Sequence, residues 1–448
     1  SLRMPSHASY LPRVSLFDPA EASEGSIDAL GLAQLATTLA DEIVPEFTER
    51  SMRPRFLTAL AFGAHLLGRS NYPDGVYGNF PQGPANIAFE RLLNESFAHC
   101  GEAGERGLIG VPGIGKARET AELDVRLTSQ RYLVGPGAVG LWVAYKRLAR
   151  GLRLIDDTGR LLENGYELLH SWETGMRRPG MATGSAASDL LSEIDRALEP
   201  LLDARSETRR PKSAWRFLYD HLKPDGMTSS EAKVLRRLII LGDEGRADVF
   251  ATIEATAELH DVSRRDPEAP TLKLLRAHGN AATRAQVDAI LAYERVVVLL
   301  LAAFESVLFA GGARPDGRVD ADAVLARSEV RERFLEAPKA LRSALEHAMS
   351  RLGALDNLGE AQATLSWLTD SALSSPHALF DALLERHFAT QRNKPPDGKR
   401  PWIEGGDSGY YVRTRYIPEA PPAAREMLHP YRTIPVRSML RDLRKAES

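Results

Sequence analysis

The chain has 448 residues, with 57 Lys and Arg against 60 Asp and Glu and a formal net charge of −3. Apolar residues make up 43% and charged residues 26%, which excludes wholesale disorder and a polybasic, histone-like chain but not a local basic face. A single cysteine, Cys100, excludes an intramolecular disulfide and points to a reducing, cytoplasmic setting.

At roughly 100–200 residues per domain, two to four domains are expected, and 3.6-residue periodicity predicts a mainly α fold. Apolar positions Ile27, Leu30, Leu35 and Leu39 predict a helix over 27–40. A second helix is predicted from 53 or 54 to 67, with Pro54 in its first turn. The run NYPDGVYGNFPQGP (71–84) reads as loop, and 87–100 as a third helix. The run MRRPGMATGSAAS (176–188) reads as a linker between an N-terminal domain, 1–178, and an all-α domain, 187–391.

Helices are predicted in that second domain over 189–202, 214–222, 230–241, 247–260, 284–310, 338–352 and 360–373. Ser229 and Ser230 ahead of Glu231 make an N-cap signal, and Gly311-Gly312 ends the longest helix. The stretch 290–310 is the most apolar. Tyr293, Glu294, Arg295 and Glu305 within it make a buried central helix rather than a membrane span. Residues 1–15 lack the apolar core of a signal peptide. From 392 to 448 an extended, basic, aromatic tail is expected: twelve Lys and Arg stand against six Asp and Glu over 392–445. A short strand is predicted at 410–417.

Residues 123–172 are the most informative. The order LDVRLTSQRYLV, GPGAVG, LWVAYKRLARG, LRLIDDTGRLLENGYELLHSW predicts helix, glycine turn, helix, small β wing and helix. Gly135, Pro136 and Gly137 allow the change of direction. Ala138, Leu141, Tyr145 and Leu148 share one face of the second helix, whereas Lys146, Arg147 and Arg150 lie towards another. Asp156-Asp157-Thr158-Gly159 is turn chemistry between strands at 152–155 and 160–162.

This segment resembles the winged helix-turn-helix domains of bacterial regulators. Their Gly-Leu-Ile, turn, Leu-Thr-x-x-Gly pattern corresponds here to GLRLIDDTGRLLENGYELL, with Gly165 in place and Leu162-Glu163 where Leu-Thr is usual. The resemblance covers about 50 residues. It implies DNA contact through Lys146, Arg147 and Arg150, and through the wing arginines Arg153 and Arg160. The stretch from Pro45 to Phe56 looks like a group of uncharacterised bacterial proteins encoded near restriction and anti-phage systems. Those carry Pro-Gly-x-Thr-x-Arg ahead of a helix, and Glu46 replaces the glycine here.

Other motifs carry alternatives. GVPGIGKA (110–117) approaches a phosphate-binding P-loop, but Ala117 stands where a magnesium-binding hydroxyl is required. The same residues within LIGVPGIGKARETAEL fit either a plain glycine turn or a helix-hairpin-helix turn, with Lys116 and Arg118 supporting a phosphate contact. His387, Gln391, Lys394, Lys399 and Trp402 either bind a phosphate or base, or serve packing, with His387 capping a helix and Trp402 filling a groove. No histidine, cysteine or carboxylate spacing marks a metal site, and no nucleophile elbow is present. The expectation is a non-catalytic DNA-binding or DNA-sensing subunit of a defence or DNA-processing complex, with no cofactor, membrane or small-molecule substrate. A helical scaffold docking partner proteins is the alternative, and a helical nuclease or transferase the third reading.

Overall fold

A computed structural model describes residues 28–69, 75–102, 105, 108, 111–133, 140–184, 188–203, 210–259, 266–395, 397–406 and 409–448. They are mainly helical, as expected. In chain order come α1 (Ala33–Ile43), α2 (Arg55–Arg69), α3 (Ala85–Cys100), α4 (Ile114–Glu122), α5 (Leu141–Gly151), α6 (Glu163–Gly175), α7 (Ser188–Asp203), α8 (Lys212–Leu222), α9 (Ser229–Leu241), α10 (Glu244–Thr256) and α11 (Ala269–His278). There follow α12 (Ala281–Gly311), α13 (Ala321–Ala326), α14 (Ser328–Gly353), α15 (Leu358–Leu365), α16 (Pro376–Arg392) and α17 (Thr433–Glu447). The strands are short. A hairpin of β1 (Asn79–Phe80) and β2 (Gly83–Pro84) lies in the run expected to be loop. An antiparallel sheet of β3 (Arg318–Val319), β4 (Ile403–Gly406) and β5 (Gly409–Val412) has the order β3-β5-β4.

Two compact units divide the chain: residues 1–42 with 280–431, and residues 43–279 with 432–448. The chain therefore does not divide at the expected borders, 178–187 and 391. The linker-like run belongs inside the second unit, because Glu173, buried on α6, accepts the backbone N–H groups of Gly180 (3.0 Å), Ala182 (2.7 Å) and Thr183 (2.8 Å). Glycine and serine report local backbone freedom, which these bonds to a buried carboxylate remove.

In the first unit α12 packs along α14. Tyr293, Val296, Val297, Leu300, Phe304 and Val307 of α12 are buried, as are Phe334, Leu341 and Leu352 of α14. Asn280 accepts Thr283 N–H at 2.9 Å to start α12, and Ser375 accepts Ala378 N–H at 3.1 Å to start α16. Buried Glu294 ties residues 428–431 to α12, accepting His429 Nδ1–H at 2.7 Å and Tyr431 O–H at 2.8 Å.

The second unit is built around α3, buried from Ala85 to Phe97, against which α4, α7 and α8 pack. The cap of α9 is Thr228 rather than Ser229 or Ser230. Its hydroxyl accepts Glu231 N–H at 3.3 Å, and Glu231 accepts Thr228 N–H at 3.3 Å.

Residues 392–448 are not one extended tail. Ile403, Tyr411 and Val412 are buried in the sheet of the first unit. The helix α17 buries Ile434, Val436, Met439, Leu440 and Leu443 within the second. Its apolar positions have helical spacing, but the prolines and cations around them obscure the stripe in the sequence.

Candidate nucleic-acid interface

Helix α5 forms because Leu141, Ala144, Tyr145, Leu148 and Ala149 recur at helical spacing and are all buried. Val143, Lys146, Arg147 and Arg150 remain, at i, i+3, i+4 and i+7, as a single less buried stripe. Four hydrogen bonds from outside fix the helix. Buried Glu90 of α3 accepts Trp142 N–H at 2.8 Å, satisfying an otherwise orphan donor of the first turn. Burial raises the Glu90 carboxyl pKa, and the N–H groups of α5 and the Tyr132 hydroxyl act against that rise. Thr48 and Ser51 donate their hydroxyls to Ala144 O at 3.0 and 2.9 Å, and Arg53 N–H donates to the Tyr145 hydroxyl at 2.8 Å. Within 45–56, then, Thr48, Ser51 and Arg53 buttress α5.

After α5 the chain turns sharply. Arg153 takes a left-handed φ of 55°. The Asp156 carboxylate accepts Thr158 N–H (2.8 Å), Thr158 O–H (2.7 Å) and Arg160 N–H (2.9 Å), an Asx-type turn. The Thr158 hydroxyl bond is the main influence lowering that carboxyl below its ordinary pKa. The expected wing strands reduce to one bridge, Ile155 with Leu161. Helix α6 then starts at Glu163, with no side-chain cap from Leu162.

Gly165 permits this closure. A Cβ there would lie 2.4 Å from Leu154 O and 2.5 Å from a Leu161 methyl. Gly165→Val is therefore expected to open the turn and lower the stability of the second unit by about 2–3 kcal/mol. Chemical denaturation checks it, and a cost below about 0.5 kcal/mol would show that the close approach does not matter.

Five of the expected residues lie on α5 and the turn that follows it. Lys146 is half-buried, its ammonium 4.1 Å from the centre of the Tyr77 ring. Arg150 is half-buried, donating to Asp157 O at 2.6 Å. Arg147, Arg153 and Arg160 are exposed. Lys116 and Arg118 lie apart, on α4. Lys116 pairs with Glu119 at 2.8 Å, and Arg118 is half-buried. The helix-hairpin-helix reading loses a donor there, since Ile114 N–H is bonded to Val111 O at 3.2 Å.

The helix expected at the start of 123–172 is absent. Asp124 is left-handed at φ 59°, and residues 125–128 carry no regular element ahead of a 3-10 turn, Ser129–Arg131. Arg126 is buried and donates to Glu95 at 2.8 Å. The expected glycine turn, 135–137, and Ala138 lie outside the described residues.

In the first unit, His387 of α16 is fully buried. Its Nε2 accepts Trp402 N–H at 2.9 Å, so the proton sits on Nδ1 and is donated to Ala29 O, also at 2.9 Å. Lys394 donates to Asp28 O at 2.6 Å. These groups are engaged within the protein and hold residues 28–29 in place, but His387 does not cap a helix as expected: it lies inside α16 and bridges Trp402 N–H to Ala29 O.

Sequence reasoning missed Tyr77 and Trp142, which meet edge to face at 6.3 Å beside Lys146. Tyr77 stood in a run read only as loop. Among the described residues, no His, Cys, Asp or Glu side chains converge to hold a metal ion, and no helix is long and apolar enough to cross a membrane. Comparison with protein-family models, curated proteins and solved structures gives no match.

Proposed function

We propose that this chain is a non-catalytic nucleic-acid-binding subunit that acts through α5 and the turn after it, beside an enzyme in DNA processing or defence. The observation that supports it is the α5 stripe with its turn. Lys146, Arg147, Arg150, Arg153 and Arg160 lie within fifteen residues, against Asp156, Asp157 and Glu163 over 146–163, and three of the cations are exposed. Asp156 is engaged within the turn, and the exposed Asp157 carboxylate lies 3.5 Å from the Arg150 guanidinium, so the cations outnumber the acids on this surface without being alone on it.

The test is fluorescence anisotropy on a labelled duplex. Arg147→Glu with Arg153→Glu removes two charge-assisted phosphate contacts and adds repulsion, at a cost of about 2–3 kcal/mol or roughly 30- to 150-fold in affinity. Both side chains are exposed, so the fold should persist. Unchanged affinity in that variant removes the assignment.

A helical scaffold that docks partner proteins is the second reading. Leu123, 71% exposed just after α4, and Tyr166, 49% exposed on α6, favour it.

A further inference from the structure

We infer that this interface grips the phosphate backbone of a duplex and does not discriminate base sequence, an inference that rests on the proposed function. Reading base edges in the major groove requires side chains whose donors and acceptors lie free in one plane, commonly Asn, Gln, Arg, Ser or Thr. The neutral candidates near α5 are engaged within the protein. Thr158 O–H is bonded to Asp156 at 2.7 Å, and Asn164 Nδ2–H to Leu152 O at 2.9 Å. Val143 has no polar group to offer.

Two of the cations are restrained as well. The Lys146 ammonium sits over Tyr77, and the Arg150 guanidinium is bound to Asp157 O. Lys146 can lend its charge to a nearby phosphate, whereas the Arg150 charge is shared with the Asp157 carboxylate at 3.5 Å, and neither is free to align with the edge of a guanine. Arg147, Arg153 and Arg160 are spread over a helix, a left-handed corner and a turn. That dispersal suits separate phosphates better than neighbouring base pairs.

The turn adds a second argument. A wing reads the minor groove by carrying its tip into a cleft about 7.5 Å deep. Here one bridge closes the turn through two backbone hydrogen bonds, Asp156 N–H to Arg160 O and Leu162 N–H to Leu154 O, both at 2.9 Å, and only Asp157, Thr158 and Gly159 form its tip. Contact is left to the outer rim of the duplex, through three to five cations.

The experiment uses the full chain and 20-base-pair duplexes that are AT-rich, GC-rich and mixed, titrated across a salt series. Dissociation constants are expected to agree within about threefold across the sequences. Log affinity should fall with log salt at a slope of about −3 to −4.5, near 0.9 per phosphate. Arg147→Ala with Arg153→Ala and Arg160→Ala should reduce that slope by about 2.7 while leaving the melting temperature unchanged. A preference above about tenfold for one duplex would overturn the inference and leave nucleic-acid binding standing, and so would an unchanged slope in the triple variant. Absence of binding to every duplex at low salt would overturn the proposed function and the inference with it.

Discussion

Replacing Glu95 with alanine is expected to destabilise the second unit by about 3–5 kcal/mol, the cost typical of stripping one partner from a buried ion pair. Glu95 is 1% exposed and Arg126 3%. The carboxylate accepts Arg126 Nε–H at 2.8 Å and Leu127 N–H at 2.7 Å, with Trp215 Nε1–H further off at 3.3 Å. Without it, the desolvated Arg126 guanidinium, which also donates to Ala197 O at 3.0 Å and lies over the Trp215 ring, loses the carboxylate that balances its charge. Against a total stability of 5–15 kcal/mol for a typical domain, that loss is large.

The damage should also reach the candidate interface. Glu95 fixes residues 126–127, a few positions before Tyr132, whose hydroxyl bonds the carboxylate that caps α5. Urea denaturation should show an earlier midpoint, and Glu95→Gln, which keeps an acceptor, should lose less. A cost under about 1 kcal/mol for the alanine variant would mean that the cluster is not the anchor inferred.

Acid should weaken the first unit through His387. Burial pushes its pKa down to about 4, from the ordinary 6.5, with the bond to Ala29 O opposing the drop and the Lys394 charge adding to it. The unfolded chain thus takes up a proton near pH 6.5 that the folded chain refuses until about pH 4. The stabilisation is complete above pH 6.5 and is lost as pH falls through this window. Two and a half pH units correspond to about 3 kcal/mol. Stability measured at pH 7, 5.5 and 4.5 should therefore fall more steeply for the native chain than for His387→Gln, which has no such proton to bind. Parallel pH profiles would contradict this.

The helices carried their own signatures. Over 284–310 the apolar period is unbroken, and α12 spans Ala281–Gly311. What stayed hidden depends on partners distant in sequence. Arg126 looks like any surface cation until Glu95, 31 residues earlier, is placed beside it. Helix α14 begins at Ser328 rather than 338, because Pro338 sits inside it instead of starting it. The interface was legible as a row of cations, but the restraint of Lys146 by Tyr77 and of Arg150 by its own turn was not. A residue list gives charge, whereas freedom to use it depends on neighbours brought in by the fold.

The interleaving of the two units has a consequence for how the protein is made. The second unit needs α17 to cover its core, and residues 280–431 stand between α11 and that helix in the chain. A nascent polypeptide emerging at about 5–20 residues per second must wait roughly 8–30 s between finishing the body of this unit and receiving its last helix. During that interval the apolar surface awaiting Val436, Leu440 and Leu443 is open to chaperones, or to the same surface on a neighbouring chain. Synthesis rate and chaperone supply should therefore govern the yield of this protein more strongly than the stability of either finished unit.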